Sequence, residues 1–353
     1  MAAGMITTAA EQRARARVPL RIHVNGTRGK STTTRLIAGM LRAAGKATMA
    51  KVTGEQPLVI DAAGVEHRLN RIGPARIQEQ AHFLRRAARH GAEAVVIECM
   101  ALAPAYQEVS EKLIAAHLAV ITNARLDHME EMGHSRQEVA RSLCGMIPHG
   151  GVVILGDPVL LPAAEAVARA RNSRTVLADT SFHDSGSDAA LTLARYVLQH
   201  VSLTELQHSA ALSHLDRHSA RTSREPAIIE LNGYRTLDLF TVNDRDTFQR
   251  KWEALAQPAW LLYNHRADRP LRAAAFAALL GESRTRPIGI MLTGDPGAAR
   301  MFRRKLAETI PLVRLPRPAS WQQVTGAAAR LHIEHGSLII GCGNWKGAPR
   351  HAD

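Results

Sequence analysis

Val18-Pro19-Leu20-Arg21-Ile22-His23-Val24-Asn25-Gly26-Thr27-Arg28-Gly29-Lys30-Ser31 is the stretch on which the reading of this chain turns. Val18, Leu20, Ile22 and Val24 alternate with other residues, the period of a strand. Beyond the glycine loop, Leu36, Ile37, Met40 and Leu41 share one face of a helix that ends at Gly45. Strand, glycine loop and helix in this order make a phosphate cradle. Backbone N–H groups converge at the helix start, glycines permit close approach, and a lysine supplies charge. Gly26, Thr27, Arg28, Gly29, Lys30, Ser31 and Thr32 are therefore candidate nucleotide-binding residues. Lys30 would reach the β- and γ-phosphates and the Ser31 hydroxyl would bind Mg²⁺. The Walker spacing asks for glycine five residues before Gly29, where this chain has Val24. The whole chain holds only seven lysines, so one at the start of this helix is not a common surface residue.

Further along, a helix around residues 77–88 stops at Gly91 and feeds Ala94-Val95-Val96-Ile97, a run apolar enough for a strand buried on both faces. Glu98 follows it directly. A carboxylate at the carboxyl end of a central strand is a natural Mg²⁺ ligand beside a phosphate loop, although alone it is as often a rim acid in a salt bridge. A third strand, residues 118–122, runs into Asn123-Ala124-Arg125-Leu126-Asp127-His128-Met129, which brings an amide, an acid and an imidazole to the same edge. Ser135-Arg136-Gln137-Glu138 has the form of a capping box, and residues 151–155 make another strand. Residues 181–225 are less legible, with a helical stretch at 191–201. A linker near 221–226 divides the chain into residues 1–223 and 224–353. The second part carries strands at 236–241, 260–263, 288–292 and 338–340. Strands alternating with helices imply parallel sheets with function at the carboxyl ends of the strands.

The chain has 353 residues, 46% of them hydrophobic and 22% charged, enough for two domains with separate cores. No apolar run approaches the ~18 residues of a membrane helix, and the first residues do not form a secretory signal. Three scattered cysteines form neither a metal motif nor a disulfide framework, so the expected compartment is the cytoplasm. The net charge is +13, spread along the sequence rather than gathered in a basic arm, and aromatics make up only 4%. That argues against nucleic acid and fits equally well with a polyanionic substrate or an acidic membrane face.

Taken as an ordered set, these segments resemble the Mur ligase and folylpolyglutamate synthetase superfamily. The wording is nearest to the ligase subunits of poly-γ-glutamate synthases, the CapB/PgsB type. The resemblance rests on residues 23–31, Arg71-Ile72-Gly73-Pro74 with Glu79-Gln80, residues 96–102, residues 121–132, Val242-Asn243-Asp244, residues 263–270, and Gly341-Cys342-Gly343-Asn344. It implies an α/β fold: a P-loop ATPase domain with a parallel, doubly wound sheet, and a smaller Rossmann-like C-terminal domain. It also implies ATP-dependent amide ligation with Mg²⁺, in which a (poly)glutamate γ-carboxylate becomes an acyl phosphate, an amino-acid amine attacks it, and ADP and phosphate leave. Carried over by position, Lys30, Glu98 and His128 are catalytic. Ser31 and Glu98 hold one Mg²⁺, His128 a second, and Asn123 belongs to the nucleotide site. Asn243, Asp244, Arg266, Asp268 and Arg269 would face the nucleotide from the C-terminal domain. The implied partners are a glutamate or poly-γ-glutamate chain, a small integral-membrane subunit at the inner membrane face, and further copies of the chain. Two departures stand out. Residues 113–250 lack the lysine that Mur ligases carbamylate, and Asp188 falls near the family's adenine-side Asn. The rival readings are a folylpolyglutamate-type ligase, a P-loop kinase or NTPase switch, and a basic nucleic-acid-binding ATPase.

Overall fold

The computed structural model describes residues 9–53, 57–69, 76–180, 186–222, 228–240, 242, 245–255, 257–267, 270–306, 308–317, 320–344 and 347–349. The chain divides into two compact units, Met1–Ser223 and Arg224–Asp353. The first opens with α1 (Ala9–Arg17), β1 (Leu20–Asn25), α2 (Lys30–Ala43) and β2 (Thr48–Val52). Two short strands follow, β3 (Leu58–Ile60) and β4 (Glu66–Arg68), then α3 (Gln78–Arg89), β5 (Ala94–Glu98), α4 (Pro104–Ile114) and β6 (Leu118–Ile121). The unit finishes with α5 (Met129–Met132), α6 (Arg136–Leu143), β7 (Val152–Leu155), α7 (Leu161–Ala170), β8 (Arg174–Leu177), α8 (Gly186–Leu198) and α9 (Glu205–Thr222).

The eight strands lie in the order β4-β3-β2-β5-β1-β6-β7-β8. β1 pairs in parallel with both β5 and β6, Ile22 opposite Val96 on one side and opposite Leu118 on the other. The chain runs to one side of β1 through β5 and then crosses to β6, so the loop after β1 stands at the topological switch point, where open α/β sheets bind ligands. Strand residues alternate between faces. Ile22, Val24, Val96, Val120 and Ile154 pack with Leu36, Ile37 and Met40 of α2 and with α8 and α9. On the opposite face, Val95 and Ile97 meet Phe83 and Leu84 of α3, while Ala119, Ile121 and Val153 meet α6 and α7. Helices cover both faces, as a doubly wound sheet requires. Ser135 accepts the Glu138 N–H and closes a capping box at the start of α6.

β2, β8 and α9 lack the sequence pattern of their elements, each for a physical reason. β2 carries a lysine in its middle. Lys51 is 1% exposed and pairs with Glu79 Oε2 at 3.3 Å, so a charged residue sits inside a wholly buried strand. β8 is an edge strand with both ends exposed. α9 is rich in Ser and His but packs closely on α2, with His214 against Gly39.

The second unit holds β9 (Ile229–Leu231), β10 (Tyr234–Asp238), α10 (Arg245–Glu253), β11 (Trp260–His265), α11 (Pro270–Glu282), β12 (Gly289–Gly294), α12 (Ala298–Lys305), β13 (Leu312–Arg314), α13 (Trp321–Arg330) and β14 (Leu338–Gly343). Its sheet order is β13-β12-β11-β14-β10-β9, parallel except for β9. Leu261, Tyr263, Ile290 and Ile340 face Phe248, Phe276 and Phe302 on one side. Leu262, Met291 and Ile339 face Trp321 and Val324 on the other. The strand expected at 236–241 begins two residues earlier and closes at Asp238; residue 241 lies outside the described residues, as does most of the expected linker. Among the described residues no helix is long and apolar enough to cross a membrane.

Candidate nucleotide site

The loop from Asn25 to Lys30 is fixed from below and from the side. Gly26 has φ +124°, and a Cβ there would stand 2.0 Å from Thr122 Oγ1 and 2.9 Å from Thr122 N, so the loop touches the end of β6 where no side chain fits. Gly29 has φ +78° with open space around it, so its requirement is the left-handed backbone alone. No side chain caps α2, whose first-turn N–H groups are thereby left for a ligand. Lys30 Nζ donates to the carbonyls of Gly26 at 2.8 Å and Thr27 at 3.4 Å, folding back over the loop.

Asn123 clamps the loop with both ends of its amide. Its Oδ1 accepts from Thr27 Oγ1 at 2.7 Å and from Arg28 N at 3.1 Å, and its Nδ2 donates to Arg28 O. Thr122 Oγ1 donates to the same carbonyl, and Thr27 Oγ1 accepts from Arg125 N. Asn123 and Thr27 thus spend their side chains on loop geometry. The Arg28 guanidinium lies 3.1 Å from Asp127 Oδ2, tying the loop to the segment before α5. Thr32 is exposed on the first turn of α2.

Ser31 and Glu98 come together from α2 and β5. Ser31 Oγ donates to Glu98 Oε2 at 2.9 Å, and Thr53 N donates to the same oxygen at 2.8 Å, although Glu98 is 2% exposed. A cavity of about 240 Å³ is lined by Gly26, Lys30, Glu98, Asp127, His128 and Met132, among others. His128 has φ +47° at the start of α5, and its ring nitrogens stand 3.9 Å from Asp127 and from Glu131. These separations are ion-pair distances, too long for hydrogen bonds. Among the described residues no three His, Cys, Asp or Glu side chains cluster as a self-sufficient metal site. A hydroxyl beside a carboxylate suits Mg²⁺, a hard cation that takes few protein oxygens and completes its shell with water and phosphate.

Beneath the loop lies a buried polar network that the sequence did not single out. Asn25 bonds Gly26 N through Oδ1 and Gln107 through Nδ2, and Gln107 Nε2 donates to Ala101 O. His23, fully buried on β1, pairs with Glu111 Oε2 at 3.1 Å and meets Ser110 Oγ at 3.1 Å. Burial by itself would lower the His23 pKa, but the bonds to Cys99 and Glu111 outweigh it and raise it to about 9. The spacing of Gln107 and Glu111 on one face of α4 is the signal available in the sequence.

In the second unit, the carboxyl ends of β11 and β14 are stitched together. Asn344 N and Nδ2 each donate to Asn264 O at 2.9 Å, Asn264 Nδ2 returns a bond to Asn344 O, and Arg272 reaches Asn344 Oδ1. Arg266 follows β11 directly and is partly exposed. Asn243, Asp244, Asp268 and Arg269 lie outside the described residues, as does Arg71-Ile72-Gly73-Pro74.

With this geometry in place, comparison with known proteins is informative. Residues 24–222 match the Mur ligase middle domain. Residues 230–352 match the poly-gamma-glutamate synthase CapB C-terminal domain. PGA synthase CapB of Bacillus subtilis (strain 168) is 36% identical over 167 residues, 46% of this chain and 42% of that protein. Capsule biosynthesis protein CapB of Bacillus anthracis is 37% identical over 170 residues, 46% of this chain and 36% of that protein. The chain thus spans less than half the length of the curated relatives it matches. Among solved structures, E. coli FolC in complex with ADP superposes with TM-score 0.60 at 14% identity, covering 98% of this chain and 93% of that one. The Yersinia pestis bifunctional folylpolyglutamate synthase/dihydrofolate synthase complexed with AMPPNP and Mn ion gives 0.60 at 15% identity over the same shares. At such identities the likeness is one of fold.

Proposed function

Because the chain belongs to the Mur ligase family, we propose that it is an ATP-dependent amide ligase of poly-γ-glutamate synthesis. The observation that carries the reading is the meeting of Ser31 with Glu98 at 2.9 Å beside Lys30, at the rim of the cavity after β1. The match of the second unit to the CapB C-terminal domain points the substrate toward glutamate.

On this reading ATP lies along the loop with its phosphates against the first turn of α2. Lys30 exchanges the Gly26 and Thr27 carbonyls for phosphate oxygens and stabilises the charge that builds as the γ-phosphoryl group leaves ADP. The acceptor's γ-carboxylate attacks that phosphorus, giving an acyl phosphate. An amino-acid amine then attacks the acyl carbon and phosphate departs with the C–O bond electrons. Ser31 and Glu98 would hold Mg²⁺, and His128 across the cavity a second ion; the metal, when bound, supplies charge neutralisation at the phosphates. Asn123 and Arg28 keep the loop and the Asp127–His128 segment in register, and positioning is most of what phosphoryl transfer asks of a protein. Asn243, Asp244, Arg266, Asp268 and Arg269 would serve nucleotide binding, as the family resemblance implies. Work at the inner membrane face beside a small integral-membrane subunit, by a homo-oligomer, belongs to the same proposal and is supported by the likeness to capsule-synthesis proteins.

The test is turnover with a panel of amino acids and γ-linked glutamate oligomers, read by mass spectrometry, with hydroxylamine present in a second arm. Oligomers lengthened by one glutamate, together with ADP and an ATP-dependent hydroxamate, are the expected products. A stable phosphorylated product with no amide, or hydrolysis that requires nucleic acid, would overturn the reading.

A further inference from the structure

The sequence spreads its positive charge, but the fold gathers part of it. Arg13 and Arg17 lie one turn apart on α1, and Arg85 and Arg89 one turn apart on α3; all four line one groove of about 610 Å³. His82 joins them, and the small side chains of Ala10, Ala14 and Ala88 leave the floor open. Like charges one helical turn apart repel. Among the described residues, Glu11 stands 3.9 Å from Arg85, and Arg13 Nε donates to the Ala9 carbonyl of its own helix. Arg13, Arg17 and Arg89 are exposed. On the other flank of α1, Arg15 turns to a second basic hollow with Lys112 and Arg171.

The groove belongs to the edge opposite the phosphate loop. α1 precedes the amino end of β1, and the last turn of α3 precedes the amino end of β5, whereas the loop follows β1 across six residues, about 20 Å at the usual strand rise. Its cations therefore play no part in holding ATP. Two arginine pairs, each about 6 Å apart along its helix, facing each other over an open floor, suit an extended ligand that repeats its negative charge rather than one small anion. No Phe, Tyr or Trp, the usual platforms for single-stranded bases, stands among the described lining residues.

We propose that the α1–α3 groove binds the polyanionic γ-linked glutamate chain as an accessory track, holding the polymer electrostatically apart from the reacting end. The identity of the polymer rests on the function proposed above; the polyanion site rests on the groove. A bound chain, with one carboxylate per residue, would relieve the arginine repulsion and raise the local concentration of acceptor.

The experiment uses the full chain and a fluorescein-labelled long γ-linked glutamate oligomer, with binding read by anisotropy at low and high salt. One variant replaces Arg13, Arg17, Arg85 and Arg89 by Gln; a control replaces the exposed Arg303, Arg304, Arg314 and Arg330 by Gln, removing the same charge elsewhere. Melting curves confirm that both fold. The groove variant should bind the oligomer roughly tenfold or more weakly, with a flatter salt dependence, while the control keeps its affinity. Turnover on a short acceptor should be unchanged in both. Equal losses in the two variants, or none in the groove variant, would overturn the proposal. So would duplex DNA or anionic vesicles displacing the oligomer at lower concentration than unlabelled oligomer does. Binding is read without turnover, so a wild-type chain that binds the oligomer but ligates nothing would refute the proposed function and leave the groove assignment standing.

Discussion

Gly26→Ala and Gly29→Ala are the same chemical change three residues apart in one loop, and the structure separates their consequences. Both glycines have positive φ, which costs a residue with a Cβ about 1–2 kcal/mol. At Gly29 nothing lies within 4 Å of the new methyl, so the cost stops there. At Gly26 the methyl would sit 2.0 Å from Thr122 Oγ1 and 2.9 Å from Thr122 N. Rotating the hydroxyl away forfeits its bond to Arg28 O, about 1 kcal/mol, and the backbone nitrogen cannot rotate at all. The sum is roughly 2–3 kcal/mol for Gly26→Ala, before the contact with the backbone nitrogen, against roughly 1–2 for Gly29→Ala. At ~2–4 °C per kcal/mol for a unit of this size, Tm should fall by at least roughly 4–12 °C and by roughly 2–8 °C respectively. The loop can relieve the Gly26 clash only by shifting, and a shift on the order of 1 Å costs about 10²-fold in turnover. Differential scanning fluorimetry and steady-state ATP turnover read the two effects. Thr122→Ala in the Gly26→Ala background should recover part of the loss, because only the hydroxyl contact is removed. A Gly26→Ala protein that melts and turns over like Gly29→Ala would refute the close approach of the loop to β6.

Other consequences are as direct. Lys30→Ala should lower turnover by ~10²-fold or more at unchanged Tm, since among the described residues the side chain bonds the Gly26 and Thr27 carbonyls of its own loop. Ser31→Ala and Glu98→Gln should each raise the Mg²⁺ needed for half-maximal rate; coincident titration curves in a folded variant would return that residue to a structural role. Asn123→Ala removes the acceptor of Thr27 Oγ1 and Arg28 N, and should cost about 1–3 kcal/mol and raise KM for ATP more than it lowers kcat. His23, raised to about 9 where burial alone would lower it, is charged in the fold at neutral pH. Its contribution to stability is full below about 6.5, the unfolded value, and is lost as pH rises toward 9. An NMR titration should place the His23 midpoint near 9 in the wild type and lower in Glu111→Gln; an ordinary midpoint in the wild type would remove the buried ion pair.

How much of this was visible beforehand depends on whether a residue's role is local. The strand–loop–helix at residues 18–44, the position of Glu98 and the Ser135 capping box are set by periodicity and short-range spacing, and the structure has them at those places. The strands expected at 94–97, 118–122 and 151–155 pair in parallel around β1 and β6. What the sequence hid were long-range compensations. Lys51 breaks the apolar pattern of β2 because its partner, Glu79, belongs to α3. Asn123 reads as a ligand-binding amide, yet both its polar atoms are taken by a loop almost a hundred residues earlier. His23 looks like an ordinary strand residue until Glu111 is brought beneath it. The arginines of α1 and α3 face each other only once the two helices are packed.

The central claim is that a γ-carboxylate is activated by the γ-phosphate of ATP, and isotope transfer tests it most directly. A glutamate acceptor labelled with ¹⁸O in its γ-carboxylate should deliver one labelled oxygen to inorganic phosphate for each amide bond formed, with ADP as the other product. That follows because the carboxylate oxygen that attacks phosphorus leaves with it when the amine displaces phosphate. Amide formation with unlabelled phosphate, or with AMP and pyrophosphate in place of ADP and phosphate, would contradict the account.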